Sequence, residues 1–191
     1  LNTLVYLKNL LADKYVASVT PSSRFAVNQV CGKIDFQKSR TIIEYGPGTG
    51  AFTVPLLERM RPDSRLIAIE RNSNFFQILR REISDGRLEL HNDTAGNVLQ
   101  ILGDSGSVKV DCIISGIPFS MIPERDDILL KTFAALKPGG KFIAYQTFFQ
   151  PESCLRRPLR KLFPFVNCEY SYFCVPPLLI IEAKKGKNSN G

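Results

Sequence analysis

The chain has 191 residues, 44% of them hydrophobic, with a formal net charge of +7 and a pI of about 9.3. That length suits one α/β domain with a full core, and no apolar run approaches the roughly 20 residues of a membrane-spanning helix. The basic balance points to anionic partners, nucleic acid or phospholipid headgroups, with a plain solvated basic surface as the even alternative.

The opening residues do not read as a secretory signal, because Lys8, Asp13 and Lys14 interrupt the apolar positions. Residues 4–16 repeat apolar side chains at helical spacing and predict a helix with a broad apolar face. Thr20-Pro21 reads as an N-cap followed by proline at the first helical position, opening a helix over 23–30 that stops near Gly32. From Thr41 strands and helices alternate. Strands are predicted near 41–45, 65–69, 87–91, 109–114 and 141–146. Helices are predicted at 51–60, 73–84, 94–102 and 124–136, with Pro62, Gly86, Gly103 and Pro123 as boundaries. Such alternation means a parallel sheet with helices on both faces. Lys137-Pro138-Gly139-Gly140 reads as a helix exit and tight turn into the fifth strand. Two strand-like runs at 166–173 and 177–183 have too short a link for a crossover helix, so they predict an antiparallel hairpin closing one edge. The expected organisation is an N-terminal helical cap over 1–36, one α/β domain over 37–186 and a disordered tail over 187–191.

The five cysteines form no C-x-x-C pair, which fits reduced thiols and a cytoplasmic setting. With His91 as the single histidine, neither a zinc site nor a histidine-dependent triad is expected, and no metal is assigned.

The chemistry concentrates in Glu44-Tyr45-Gly46-Pro47-Gly48-Thr49-Gly50, between the β-branched run from Thr41 and the helix from Ala51. Strand, glycine turn and helix make a nucleotide-type cofactor site, since glycine turns sharply and lets a ligand approach where a Cβ would collide. Gly46 to Ala51 can be forced onto the dinucleotide pattern, and Glu70 follows the second strand near the distance of a ribose-binding carboxylate. Against a dinucleotide stands Glu44, whose carboxylate would repel a pyrophosphate at short range. S-adenosylmethionine carries an ammonium and a sulfonium, both of which favour a nearby anion, so the E-x-G-x-G-x-G arrangement suits that cofactor better.

The glycine loop, the acid after strand two, the Pro-Gly-Gly turn and the terminal hairpin resemble the class I S-adenosylmethionine-dependent methyltransferases. The resemblance is closest to the phospholipid N-methyltransferase family, itself similar to the rRNA adenine dimethyltransferases. Four stretches carry it: Leu7 to Leu11 with Val19 to Arg24, the glycine loop, Ser115-Gly116-Ile117-Pro118-Phe119, and Val175-Pro176-Pro177. It implies a Rossmann-like fold with a seven-stranded, mostly parallel sheet, a C-terminal antiparallel hairpin and N-terminal helices. It implies that Gly46, Gly48 and Gly50 cradle the donor's methionine part and that Glu44 balances its ammonium. Glu70 takes the ribose hydroxyls, with Arg71 and Asn72 by the adenine or simply on the surface. Asp93 accepts from the adenine amine, with a helix N-cap as the rival reading. Ser115, Gly116 and Phe119 border the transferring methyl, and Ser22 and Ser23 close the pocket.

The adenine dimethyltransferases carry an Asn-Leu-Pro-Tyr-type motif where this chain has Ser115 to Phe119. Phe119 could stack on a base, but the amide that orients the amine is missing. Those enzymes usually also carry a further C-terminal helical domain, beyond the hairpin at which this sequence ends. The expected acceptor is therefore an amine of a phospholipid such as phosphatidylethanolamine, at an anionic membrane surface on the inner face. An RNA adenine ranks second, ahead of a small-molecule acceptor or a non-catalytic donor-binding module. Attack on the methyl needs a neutral amine, and Tyr15, Tyr45 and Glu44 are candidates to take its proton. Arg156, Arg157, Arg160 and Lys161 alternate with Leu155, Leu159, Leu162 and Phe163. They form either a surface for anionic lipid or RNA phosphates, or a helix with a core-facing apolar side and a solvated basic side.

Overall fold

A computed structural model of the chain describes residues 24–103, 108–147, 151–172 and 177–187. The helix predicted over 4–16, the Thr20-Pro21 cap, Tyr15, Ser22, Ser23, Val175, Pro176 and residues 188–191 lie outside the described residues. The first described helix is α1 (Arg24–Cys31), and β1 (Thr41–Tyr45), α2 (Thr53–Arg59), β2 (Arg65–Ile69), α3 (Ser73–Glu82) and β3 (Leu88–His91) follow. Then come a 3-10 turn (Ala95–Asn97), α4 (Val98–Ile101) and β4 (Val110–Ser115), and a second 3-10 turn (Phe119–Met121). The last elements are α5 (Arg125–Ala135), β5 (Leu136–Thr147), α6 (Glu152–Leu162), β6 (Phe165–Ser171) and β7 (Leu178–Lys184).

The seven strands form one sheet in the order β3-β2-β1-β4-β5-β7-β6. β1 to β5 run parallel, and β7 is antiparallel to both β5 and β6. The predicted hairpin is therefore present, and β7 inserts between β5 and β6. Every residue of β1 after Thr41 is buried, as expected of a central strand covered on both faces.

Alternation along the strands splits the core in two. Ile42, Cys112, Ile114, Ile143 and Tyr145 face Val27, Val30, Phe52, Leu56 and Met60 of the α1–α2 layer. Ile43, Tyr45, Ile113, Phe142 and Ala144 face Val98, Ile128, Leu129, Leu155 and Leu159 of the α4–α5–α6 layer. The order reverses where β1 lies between β2 and β4, and in open α/β sheets ligands sit at such a switch, outside the carboxyl ends of the strands.

Two elements depart from the sequence expectations, and a third decides between two open readings. The predicted helix over 94–102 is a 3-10 turn followed by a single α turn. The Pro-Gly-Gly turn lies inside β5 as an excursion, because Val110 pairs with Leu136 and Cys112 pairs with Lys141. Residues 152–162, read either as a surface for anionic lipid or RNA phosphates or as a core-facing helix, form α6 despite Pro158 in its interior. Leu155, Leu159 and Phe163 are buried along one side of it while Arg157, Arg160 and Lys161 are exposed, which is the core-facing arrangement. No helix among the described residues is long and apolar enough to cross a membrane.

Candidate active site

The glycine loop leaves β1 at the switch point. Gly46, Gly48 and Gly50 all take left-handed φ values of 68°, 59° and 88°, a region costly for residues with a side chain. A Cβ at Gly46 would meet Ile117 Cγ2 at 2.7 Å, so this glycine lets the segment after β4 pack on the loop. At Gly48 no protein atom lies within 4 Å of where a Cβ would stand. A side chain there would stand in open space, so its cost is the left-handed backbone and not a clash with the protein.

Two carboxyl groups stand beside this loop, Glu44 at the end of β1 and Glu70 after β2. Glu70, 6% exposed at the end of β2, accepts the Gly48 N–H at 2.9 Å on Oε2 and the Asn72 N–H at 2.7 Å on Oε1. It thereby fixes the loop's middle to β2. Asn92 holds the backbone beneath it, its Nδ2 donating to the Glu70 carbonyl at 2.8 Å.

Glu44 is fully buried below the loop rather than at its open mouth. Thr53, in the first turn of α2, donates its hydroxyl to Glu44 Oε2 at 2.7 Å, while Oε1 is buried without a hydrogen-bond partner. Burial pushes the carboxyl up to about 8, with the Thr53 bond opposing and the nearby Glu70 charge adding to the rise. An unpartnered acceptor oxygen beneath a glycine cradle fits a cationic ligand, whose ammonium would satisfy it directly or through water and favour its ionised form. A diphosphate would do neither. The residues present fit S-adenosylmethionine.

The remaining predicted site residues divide. Ser115 ends β4 with its Oγ fully buried and unpartnered, and Gly116 follows, its N–H donating to the Tyr45 carbonyl at 3.0 Å. Arg71 is exposed on the rim beside Glu70. Asn72 caps α3 instead of facing a ligand, since its side chain accepts from the Asn74 and Phe75 amides. Asp93 Oδ1 accepts from the Thr94 N–H at 2.6 Å and from Asn97 Nδ2 at 2.8 Å, while the N-cap of the following turn is Thr94.

Phe119 is fully buried in the α4–α5–α6 core, edge-on to Phe142 at 6.1 Å between ring centroids, so it turns no face to a base. Its place as a stacking residue is corrected to a core role. Tyr45 is likewise internal: its hydroxyl pairs with Thr132 Oγ1 at 3.3 Å in the same core, and burial pushes its phenol up, out of reach of a proton-accepting role.

Sequence reasoning missed Thr53, Asn92 and Tyr145. Thr53 had a legible signal, being a small hydroxyl in the first turn of the helix that the glycine loop opens. Tyr145 had none, because its position depends on how far β5 runs beside β4.

The model of the ribosomal RNA adenine dimethylase family matches residues 21–97, which hold the glycine loop, Glu70 and Asp93. An ornithine lipid N-methyltransferase from Singulisphaera acidiphila is 28% identical over 130 residues, covering 66% of this chain and 68% of that protein. A ribosomal RNA small subunit methyltransferase A from Clostridium perfringens is 38% identical over 157 residues, covering 75% of this chain and 51% of that protein. The chain thus spans only about half the length of that ribosomal RNA enzyme. The solved O-methyltransferase TomG from Streptomyces achromogenes, in complex with S-adenosylmethionine, shares the fold with a TM-score of 0.65 at 17% identity, over 86% of this chain and 81% of that one. Glycine cradle, buried acid, sheet order and relatives agree, and the chain belongs to the class I S-adenosylmethionine-dependent methyltransferases.

Proposed function

We propose that this protein N-methylates an amine of a phospholipid headgroup, such as phosphatidylethanolamine, at an anionic membrane surface. The observation that carries the lipid over the nucleic acid is the fate of the Ser115–Phe119 segment. Reading an adenine amine calls for an aromatic face to stack on the base and polar groups on its edge. Here Phe119 is fully buried against Phe142, and Gly116 has no side chain. Similarity to an ornithine lipid N-methyltransferase points the same way. Ribosomal RNA adenine is the second reading, favoured by the family-model match and by the 38% identity to the Clostridium perfringens protein. That match ends at residue 97, before the segment that would meet the acceptor.

Bound S-adenosylmethionine supplies an electrophilic methyl on a sulfonium. The chain's own part is alignment and exclusion of water. Glu70 holds the glycine loop through Gly48 and, as a carboxylate at the end of β2, would accept a sugar's hydroxyls. Glu44, steadied by Thr53, offers Oε1 to an ammonium. Gly116, just past the end of β4, has no side chain and so leaves room for the Tyr145 hydroxyl to pack against it. An alkylammonium titrating near about 10 must lose its proton first. Of the candidates among the described residues, Glu44 and Tyr45 are both fully buried, which favours water as the proton's exit.

Incubation with donor labelled in the methyl group, followed by separation of lipid, RNA and small-amine pools, tests the reading. Label in aminophospholipid is the expected result. Label confined to RNA would sink the acceptor while leaving the donor site standing.

A further inference from the structure

We propose that the Tyr145 hydroxyl contacts the acceptor nitrogen, in the space that a side chain at position 116 would otherwise fill. The inference rests on the methyl-transfer reading of the site and adds a residue to it.

Gly116 is not glycine for the sake of its backbone, because it is absent from the glycines with left-handed φ. It is glycine for room. A Cβ there would lie 2.5 Å from the Tyr145 hydroxyl oxygen, 2.8 Å from Cζ and 3.1 Å from Cε2. Tyr145 cannot swing aside cheaply. Its ring stacks on Phe52 with centroids 4.2 Å apart and planes 23° apart, and it is 4% exposed. Phe52 lies just past Gly50, so the ring is wedged between β5 and the donor loop. Ser115 pairs in register with Ala144, which sets Gly116 beside Tyr145 at the ends of adjacent strands. Tyr145 shares the sheet face of Ile42 and Ile114, the face on which Thr53 reaches Glu44. The phenol oxygen therefore stands against the backbone just past the end of β4, with its ring on Phe52 at the exit of the glycine loop.

A phenol oxygen accepts a hydrogen bond from an amine N–H. Held that way, a neutral amine keeps its lone pair free to face the methyl. The nitrogen pair forms the N–C bond as the C–S bond breaks, sulfur keeps that bonding pair, and the new ammonium releases its proton to water before another round. A primary or secondary amine can make the contact. A neutral dimethylamine headgroup has no N–H and cannot.

The test compares Tyr145→Phe with wild type on phosphatidylethanolamine and its monomethyl and dimethyl derivatives. The first methylation is expected to slow about tenfold, the loss of roughly one good hydrogen bond, and the third to stay within about twofold. Donor affinity by calorimetry is expected to stay within about threefold. With S-adenosylhomocysteine present, binding of short-chain phosphatidylethanolamine should weaken about tenfold while short-chain phosphatidylcholine is unaffected. Equal slowing of all three steps, or none, would overturn the assignment. Gly116→Ala, which displaces the hydroxyl while keeping it, should reproduce the pattern and serves if the phenylalanine variant folds poorly. If wild type labels RNA and not lipid, the lipid reading alone fails. The binding comparison is then made between adenosine and N6,N6-dimethyladenosine, and equal weakening of both overturns the Tyr145 contact.

Discussion

Glu44 lies under the donor loop, and its acid–base balance should be readable in solution. Its carboxyl titrates near 8 folded against 4.5 for an ordinary glutamate, chiefly because burial penalises the charge. Folding therefore takes up a proton between those two values. The stability this group contributes is fully present below about 4.5 and is lost as pH climbs through 8. Glu44→Gln removes the effect, so the melting temperature of wild type relative to that variant should fall as pH rises across this window. A cationic donor reverses the preference by favouring the ionised form. Donor affinity should then rise with pH in wild type, with proton release in calorimetry, and stay flat in Glu44→Gln. Parallel pH profiles for the two proteins would show that Glu44 does not face the donor. Gly48 supplies the matching steric case. Gly48→Val adds a branched side chain at φ 59° and fills the crevice, whereas Gly48→Asn fills it with a residue that tolerates this backbone region. Both variants should lose donor binding by more than about tenfold, and the valine variant alone should also lose stability. Unchanged donor affinity in both would refute the loop assignment.

Elements hold their register through contacts far from this chemistry. Asp111 lies near the start of β4, opposite the end that carries Gly116. Its Oδ2 accepts the Arg40 and Thr41 amides at 2.8 and 2.9 Å, and its Oδ1 accepts Lys137 Nζ at 2.9 Å. One side chain thus ties together the entry of β1, β4 and the excursion in β5. Asp111→Ala strands two backbone donors and should cost about 1–3 kcal/mol in denaturant unfolding, leaving donor affinity unchanged. A neutral outcome would mean that water replaces the carboxylate. This tie also marks where sequence reading stops. β1, β2 and β4 are legible because each is a β-branched, buried run closed by a turn residue. The β5 excursion is not, because it depends on a side chain twenty-six positions away. α6 is legible only as one of two readings, because Pro158 stands inside it, and burial of Leu155 and Leu159 decides for the core-facing one. The same division holds at the site. The glycines and Glu70 stand in a local motif, while Tyr145 over Gly116 and the withdrawal of Phe119 are products of packing.

Charge is divided across the whole molecule in a way that bears on both ligands. The net charge is +7, yet the acids beside the glycine loop, Glu44 and Glu70, are both buried. On the proposed reading, local carboxyl groups would hold a cationic donor against the overall field, while that field would favour an anionic acceptor surface. On α6, Arg157, Arg160 and Lys161 are exposed on the side opposite Leu155 and Leu159. Since the apolar side is already in the core, this helix can meet a membrane only through its charges. Each basic residue near an anionic surface contributes on the order of 1 kcal/mol, screened within a Debye length. Reversing all three to glutamate should leave the melting temperature within about 2 °C, as expected for surface changes. Binding to vesicles rich in phosphatidylserine should fall by at least about a hundredfold at low salt, and the gap should narrow as salt is raised. Vesicle binding that survives the triple reversal would remove α6 from the membrane-facing surface, and binding lost together with thermal stability would show instead that these side chains support the fold.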